Sequence, residues 1–409
     1  MGKIEKMKAL FFCSNPVDGG TARVFCEIVK SLRDNDAGIK IYAAVNANNP
    51  VEIYKCIPDI YYLPIYSEQI MYRERYGNAG LRRVIDYIVR KLRYRTVYFK
   101  NDRILSRFID ENAIDTVIIH NGGYVGDDLC NQLLKVAYRK RKFVRNRVMI
   151  WHNDMSKGRI TKLRYFLYDK KIDREATGIV TVSNYTKDRI KSSSFIRKNI
   201  DVIYNGLPDS RCKRYKDKIA FIDQSQDVFQ VLMIGNFQAN KGQVKLIEAL
   251  RLVNNCSINV TFIGNVYDEK YYEKCMKAVS EYKLESRVRV LHGINDAYEY
   301  IDMFDLLAVT SLYDESFGLI SLEAMIAGKP VAAFACGGIP EVVEDGKTGI
   351  LVPVGNVKKL AEVMIWFYRN KDKAEVMGNN GRKRYERYFS CEAMKNAYLS
   401  YFERNCGLK

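Results

Sequence analysis

Glu315 and Glu323 stand eight residues apart in DESFGLISLEAMIAG (314–328), and the stretch between them reads as a place to hold an anion. Ser316 reads as the N-cap of a helix and Phe317-Gly318-Leu319 as its first turn. Leu319, Leu322, Ala324, Met325 and Ile326 supply its apolar faces. First-turn amides have no partner inside a helix and carry the positive end of its dipole. A phosphate fits there, and Gly318 lets it approach the backbone closely. A helix running through both glutamates separates them by roughly 12 Å. One carboxylate then sits at the phosphate end of a long ligand, of the nucleotide-sugar kind, while the other grips a more distant part.

Other residues with chemical potential fall at the ends of strand-like segments. Gly19-Gly20 follow the run 8–14 and lead into a helix, a place for close backbone approach or simply a tight turn. They do not form a G-x-G-x-x-G dinucleotide fingerprint. Lys241, in GNFQANKG (235–242), is a point charge able to neutralise a diphosphate, although a lone lysine there is ordinarily a surface residue. The chain has three histidines, and each closes a strand candidate: His120 after TVII, His152 after VMIW and His292 after RVRVL. Such a histidine is ordinarily hydrogen-bonded scaffolding. His152 is the best candidate for chemistry, because Asn153 and Asp154 beside it add groups that bind sugar hydroxyls. His120, His152 and Asn153 are thus expected on the acceptor side. No His, Cys and carboxylate cluster has ligand spacing, so no metal is expected, and Asp34-Asn35-Asp36 reads as a turn.

These residues need a scaffold, and the chain alternates short apolar runs with helix-length amphipathic stretches, the signature of parallel sheets. Strands are expected at 8–14, 39–45, 116–120, 148–152 and 178–183, then at 229–234, 259–263, 288–291, 306–310, 330–335 and 349–352. Helices are expected at 21–34, 160–172, 241–252, 268–282, 316–327, 356–370 and 373–388. At 409 residues the chain exceeds a usual single core. The polar, mixed-charge stretch 207–227 reads as a linker between two doubly wound domains, 1–206 and 228–390. Ligands gather where loops leave the carboxyl ends of such strands.

The formal charge is +18, and it is uneven. Residues 1–206 carry 38 Lys and Arg against 22 Asp and Glu; residues 207–409 carry 28 against 26. In RRVIDYIVRKLRYR (82–95) apolar residues recur near helical spacing beneath a basic face. Such a segment either lies on an anionic membrane surface or packs on its own domain with a solvated face. YRKRKFVRNR (138–147) adds a second basic run. Nucleic acid is the weakest partner, since no recognised nucleic-acid motif is present. No apolar run approaches the roughly 18–20 residues that span a bilayer, and the N-terminus lacks a signal-peptide pattern. Ten cysteines without a C-x-x-C pair point to free thiols in a reducing cytoplasm.

The block SLYDESFGLISLEAMIAGKPVAAFACGGIPEVVEDGKTGILVPVGN (311–356) closely resembles the signature of the retaining glycosyltransferases of family 4. The resemblance continues through Asp18-Gly19-Gly20, Ser183, Asn205-Gly206 and Lys241-Gly242. It implies the α/β GT-B fold, with two Rossmann-like domains whose parallel sheets face a central cleft. It also implies that the C-terminal segment, 391–409, returns to the first domain. By the same resemblance, the second domain binds a nucleoside diphosphate sugar, with uridine as the default base, and the first binds an acceptor. Glu315 is then placed by the donor sugar and diphosphate, Lys241 at the diphosphate, and Glu323 at the ribose. The amides of Phe317, Gly318 and Leu319 hold the phosphates, Ser316 and Asn236 also stand on the donor side, Gly293-Ile294 meet the base, Gly19 and Gly20 approach the diphosphate, and His152 stands near the reacting carbon. Neither a cofactor nor a metal is implied. The family's usual pattern G-R-L-x-x-x-K-G carries an arginine where this chain has Asn236, so one bidentate phosphate contact is missing. The expected role is synthesis of surface polysaccharide or glycolipid at the cytoplasmic membrane face. The alternatives are a soluble or protein acceptor, or a non-catalytic partner subunit.

Overall fold

The computed structural model describes residues 7–14, 19–33, 38–47, 52–66, 81–120, 128–152, 162–209, 228–253, 256–294 and 296–408; for 81–94 and 162–165 it describes the backbone alone. The chain divides into two compact units, Met1–Gly206 with Met394–Lys409, and Leu207–Ala393.

In the first unit seven parallel strands, β1 (Met7–Cys13), β2 (Ile39–Asn46), β3 (Tyr61–Leu63), β4 (Thr116–His120), β5 (Asn146–Trp151), β6 (Gly178–Thr181) and β7 (Ile200–Val202), lie in the order β3-β2-β1-β4-β5-β6-β7. They alternate with helices α1 (Gly20–Arg33), α2 (Leu81–Glu111), α3 (Asp128–Arg139), α4 (Lys162–Glu175) and α5 (Asn184–Ser193). Ala9 to Cys13 are fully buried, as the unbroken apolar run of a central parallel strand requires. Helices α3 and α5 were not expected from the sequence, though the signals were there. In α3 Leu129, Cys130, Leu133, Leu134, Val136 and Ala137 are buried at helical spacing, and Ser183 caps α5 by accepting from the Thr186 amide.

Part of the second basic run belongs to the fold itself, while Arg141, Lys142 and Arg145 are exposed. Arg139 pairs with Asp102 and Lys140 with Asp110, both on α2, at 2.5 and 2.7 Å. Arg147 is buried, its guanidinium donating to the carbonyls of Glu175 and Val144. The expected membrane-facing side chains of 82–94 lie outside the described residues. No described helix is long and apolar enough to cross a membrane.

The second unit repeats the plan with β8 (Phe229–Ile234), β9 (Ile258–Ile263), β10 (Val288–Leu291), β11 (Leu306–Val309), β12 (Val331–Phe334) and β13 (Gly349–Val352), all parallel, in the order β10-β9-β8-β11-β12-β13. Its helices are α6 (Gln243–Arg251), α7 (Glu269–Glu281), α8 (Leu319–Ile326), α9 (Ile339–Val342), α10 (Val357–Arg369) and α11 (Lys371–Tyr388). Residues 207–209, read as the start of a linker, are instead fastened to this unit. The Tyr385 hydroxyl donates to the Leu207 carbonyl at 2.9 Å and Arg382 pairs with Asp209. Residues 210–227 lie outside the described residues.

The final helix, α12 (Cys391–Cys406), completes the first unit's core. Phe402 meets Phe11 edge-on at 6.4 Å, and the Tyr401 hydroxyl sits so close over Gly178 that a Cβ there would lie 2.0 Å from it. The Asn146 side chain donates to the Cys406 carbonyl at 3.0 Å. In each sheet the strand order reverses once, between β1 and β4 and between β8 and β11. Such reversals open crevices at the carboxyl ends of those strands.

Candidate active site

At the second unit's reversal, the loop after β8 meets the loop after β11. The Lys241 ammonium donates to the Glu315 carboxylate at 2.7 Å, and the Ser311 hydroxyl donates to the same oxygen at 2.6 Å. Burial alone would raise the pKa of Glu315, but the Lys241 charge and these two hydrogen bonds outweigh it and hold the carboxyl below its ordinary value. Glu315 is therefore an anion at neutral pH, with its side chain 21% exposed.

The backbone around this pair is built for close approach. Thr310 Oγ1 donates to the carbonyls of Lys241 and Gly242 at 3.1 Å each, and the Leu312 amide donates to Asn240. Gly242 has φ +75°, and a Cβ on it would lie 2.1 Å from the Thr310 carbonyl oxygen. On the other side, a Cβ on Gly337 would lie 2.1 Å from the Glu315 carbonyl oxygen, and the Gly338 amide donates to that oxygen at 2.7 Å. Glycines on both flanks thus set where Lys241 and Glu315 stand.

Helix α8 starts later than the sequence suggested. Its N-cap is Gly318, in the left-handed region at φ 95° and ψ 53°, and not Ser316. The reason is packing: Phe317 is buried and stacks edge-on with Phe389 at 5.7 Å, which draws the chain inward before the first turn. The helix-start amides are consequently those of Leu319 and Ile320, while Ser316 and Phe317 precede the helix. Glu315 lies outside the helix, so the 12 Å axial separation from Glu323 does not apply. Glu323 stands one turn beyond Leu319 on the same face.

The loops after β8, β9 and β10 are laced together. Asn236 accepts the Asn265 amide at 3.2 Å, Asn265 Oδ1 accepts the Gly293 amide at 2.8 Å, and His292 Nδ1 is 2.7 Å from the Gly264 carbonyl. Gly293 has φ +67° with open space around its Cα, and Ile294 follows it. The Gly293 amide is committed to Asn265, which leaves its carbonyl and the Ile294 backbone for any base.

In the first unit Gly19 and Gly20 are exposed at the start of α1. His120, expected on the acceptor side, is completely buried; its Nε2 lies 3.0 Å from the Thr21 carbonyl, one residue past Gly20. It holds the glycine turn and does not face solvent. His152 packs on it with ring centroids 4.2 Å apart. Neither His120 Nδ1 nor His152 Nε2 has a hydrogen-bond partner among the described residues. Asn153 and Asp154 lie outside the described residues.

Burial lowers the pKa of His120 to about 4 and, with His120 beside it, puts that of His152 well below the usual range. Both imidazoles are neutral at pH 7. An unfolded histidine binds its proton first, so the stability His120 contributes is intact above about pH 6.5 and is lost as pH falls toward 4, at about 1.4 kcal/mol per pH unit. Thermal melts across this range check the sign: His120→Gln should show a shallower acid slope than the parent chain. Equal slopes would place the acid sensitivity elsewhere.

Two family models match the chain, one described as Glycosyltransferase Family 4 over residues 18–211 and one as Glycosyl transferases group 1 over residues 216–384. The chain belongs to glycosyltransferase family 4. Among curated relatives, it is 28% identical over 221 residues to N-acetyl-alpha-D-glucosaminyl L-malate synthase of Bacillus anthracis, covering 53% of this chain and 55% of the relative. It is 25% identical over 243 residues to the capsular polysaccharide biosynthesis glycosyltransferase CapM of Staphylococcus aureus, covering 55% and 62%. The chain thus spans little more than half the length of the curated relatives it matches. Among solved structures, Anabaena HepE in complex with UDP superimposes with a TM-score of 0.74 at 19% identity, covering 97% of this chain and all of the other. That likeness shows the GT-B fold. Among the described residues, no three His, Cys, Asp or Glu side chains gather in a way that could hold a metal ion.

Ser311 and Thr310 are the functional residues that the sequence reading missed. Both are buried polar residues directly after the apolar run LLAV of β11, and that position was the available signal.

Proposed function

We propose that this family member moves a sugar from a uridine diphosphate sugar to an acceptor hydroxyl, with retention of anomeric configuration and without a metal. The observation that carries the reading is the Glu315 carboxylate, kept ionised between Lys241 and Ser311 beside the start of α8. As the sugar–phosphate bond breaks, negative charge grows on the leaving diphosphate. Lys241 and the amides of Leu319 and Ile320 are fixed in advance to receive it, which is how such charge is stabilised most effectively. Glu315 faces the donor sugar and favours positive character at its reacting carbon. Glu323 takes the ribose hydroxyls, and the Gly293-Ile294 backbone takes the base. The acceptor hydroxyl attacks from the face the diphosphate leaves, which conserves the configuration. On the first unit, neutral His152 is buried, Nε2 included, so it backs His120 and, contrary to expectation, does not present a nitrogen to the sugar.

The favoured acceptor is a lipid-linked intermediate of a surface polysaccharide, reached from the cytoplasmic face of a membrane. The surplus of 16 positive charges in residues 1–206 and the likeness to a capsular polysaccharide enzyme support this choice. A small soluble acceptor is the second reading, favoured by the malate named in the Bacillus anthracis relative.

The test is a donor screen by thermal stabilisation and slow hydrolysis across UDP-, GDP- and ADP-sugars, with binding to anionic vesicles at rising salt as a second arm. Selective stabilisation by a UDP-sugar supports the donor reading, and stabilisation by no nucleotide-sugar sinks it. Vesicle binding that weakens with salt separates the two acceptor readings. Asn236→Arg should tighten UDP binding about tenfold, since a guanidinium at the carboxyl end of β8 adds a bidentate phosphate contact. Isothermal titration checks this, and unchanged or weaker affinity would mean that the Asn236–Asn265 link matters more than the missing cation.

A further inference from the structure

Helix α4 and the turn that follows α5 carry an exposed apolar pair. Leu167 on α4 is 61% exposed, and Phe195, two residues past the end of α5, is 57% exposed. Phe166 joins them: its ring meets Phe195 edge-on at 4.8 Å, and the Lys170 ammonium lies 4.2 Å from its centre.

The turn is built to hold Phe195 outward. Asp169 accepts the Phe195 amide at 2.9 Å, and Asp173, one turn further along α4, accepts the amides of Arg197 and Lys198 at 3.1 and 2.9 Å. Ile196 is buried in the core with Ile172 and Ile190, while Phe195 and Arg197 on either side of it are exposed. A fixed backbone thus presents the ring to solvent.

The carboxylates of this region are used inward and its cations face out. Asp169 and Glu175 are buried, Glu175 pairs with Arg174 and Lys171, and Asp173 holds the turn. Lys170, Lys191 and Arg197 are exposed and Lys198 is half-buried. Among the described residues of α4, α5 and the turn, Asp188 is the one exposed carboxylate. The whole stretch 153–199, undescribed residues included, carries twelve Lys and Arg against five Asp and Glu. Its undescribed charged side chains are Asp154, Lys157, Arg159, Lys162 and Arg164, which add to the surplus.

We infer that Leu167 and Phe195 dip into the interfacial layer of an anionic lipid bilayer, with Lys170, Lys191, Arg197 and Lys198 meeting the headgroups. A stable protein interface takes roughly twenty residues a side, far more than this pair supplies. A few apolar side chains among Lys and Arg bind anionic lipid through buried apolar area and charge together. The lysine and arginine stems lie along the interface while their charges reach phosphate. The contact rests on the membrane-bound acceptor reading given above and names the face that meets the bilayer. That face is separate from the basic segments 82–95 and 138–147.

The test uses the full chain and vesicles of phosphatidylcholine, with and without phosphatidylglycerol. Sedimentation should show binding only where phosphatidylglycerol is present, and binding should weaken as salt rises. Phe195→Trp puts a reporter in the pair. After subtraction of the signal from the parent chain's two tryptophans, its emission should shift to the blue and be quenched by lipids brominated on their acyl chains. Phe143→Trp, at the exposed aromatic of the 138–147 run, should bind equally and stay unquenched. Phe195→Ser should weaken binding about tenfold, the scale of taking one large apolar side chain out of the interface. A thermal melt checks its fold, and the two tryptophan variants decide the matter if it does not fold. A parent chain that binds no anionic vesicle would sink both this contact and the lipid-acceptor reading. Vesicle binding with Phe195→Trp unquenched, or with Phe195→Ser as tight as the parent, would overturn the contact and leave that reading standing. So would quenching of Phe143→Trp but not of Phe195→Trp. A lower oligomeric state of Phe195→Ser with vesicle binding unchanged, read by analytical ultracentrifugation, would instead assign the patch to a second copy of the chain.

Discussion

Glu315→Gln should lower sugar transfer by roughly a hundred- to a thousandfold while leaving the fold intact, the scale seen when one preorganised electrostatic group is removed from a reacting centre. Glutamine keeps the volume and can still accept from Ser311, but the negative charge is gone and Lys241 loses its partner. The pair is partly exposed, with side chains 30% and 21% accessible, so the stability cost should be only about 1–2 kcal/mol. The loss should fall on kcat more than on KM, because the carboxylate acts on charge that develops as the sugar leaves. Steady-state kinetics beside a thermal melt separate the effects. A variant within about threefold of the parent rate would remove Glu315 from the chemistry.

Gly242→Ala is the largest structural perturbation expected at the site. The new methyl would lie 2.1 Å from the Thr310 carbonyl oxygen, and the backbone would hold alanine at φ +75°. Left-handed backbone costs about 1–2 kcal/mol by itself, and the collision with main chain raises the total to roughly 3 kcal/mol or more. Gly346→Ala is the matched control, with φ +72° but open space around it, and it should show the conformational cost alone. Denaturant titration of both variants measures the difference. If the loop shifts to admit the methyl, Lys241 moves with it, and UDP affinity should fall even where stability holds. Equal destabilisation by both substitutions, with UDP affinity unchanged, would show that the contact with Thr310 does not fix the lysine.

The alternation of apolar runs with amphipathic stretches was enough to foresee two parallel α/β sheets, because a strand buried on both faces has to be apolar throughout. Lys241 and Glu315 were legible from their positions after strand candidates, although 74 residues separate them in sequence and only the fold brings their charges together. Local pattern failed where distant packing decided the outcome. Ser316 has the chemistry of a cap, yet Phe317 is pulled onto Phe389 and the helix begins after Gly318 instead. His120 looked available at a strand end, but the close packing of Phe25 and His152 against it leaves its ring no access to solvent. Ser311 was overlooked because its place after the LLAV run does not say what its hydroxyl binds, and the Glu315 carboxylate it meets is brought to it only by the fold of the loop.

The placement of α12 has a consequence for biosynthesis. Phe402 and Tyr401, which close the core around Phe11 and Gly178, leave the ribosome only after all of Leu207–Ala393, whereas the strands they cover leave before it. The amino-terminal half must therefore wait, with part of its apolar interior open, while all of Leu207–Ala393 is translated and free to fold. Vectorial synthesis thus runs against the order of the sequence: the second unit to be made is the first that can be finished. In a nascent chain stalled short of Met394, the exposed face of the β1 sheet would be the surface that a chaperone meets.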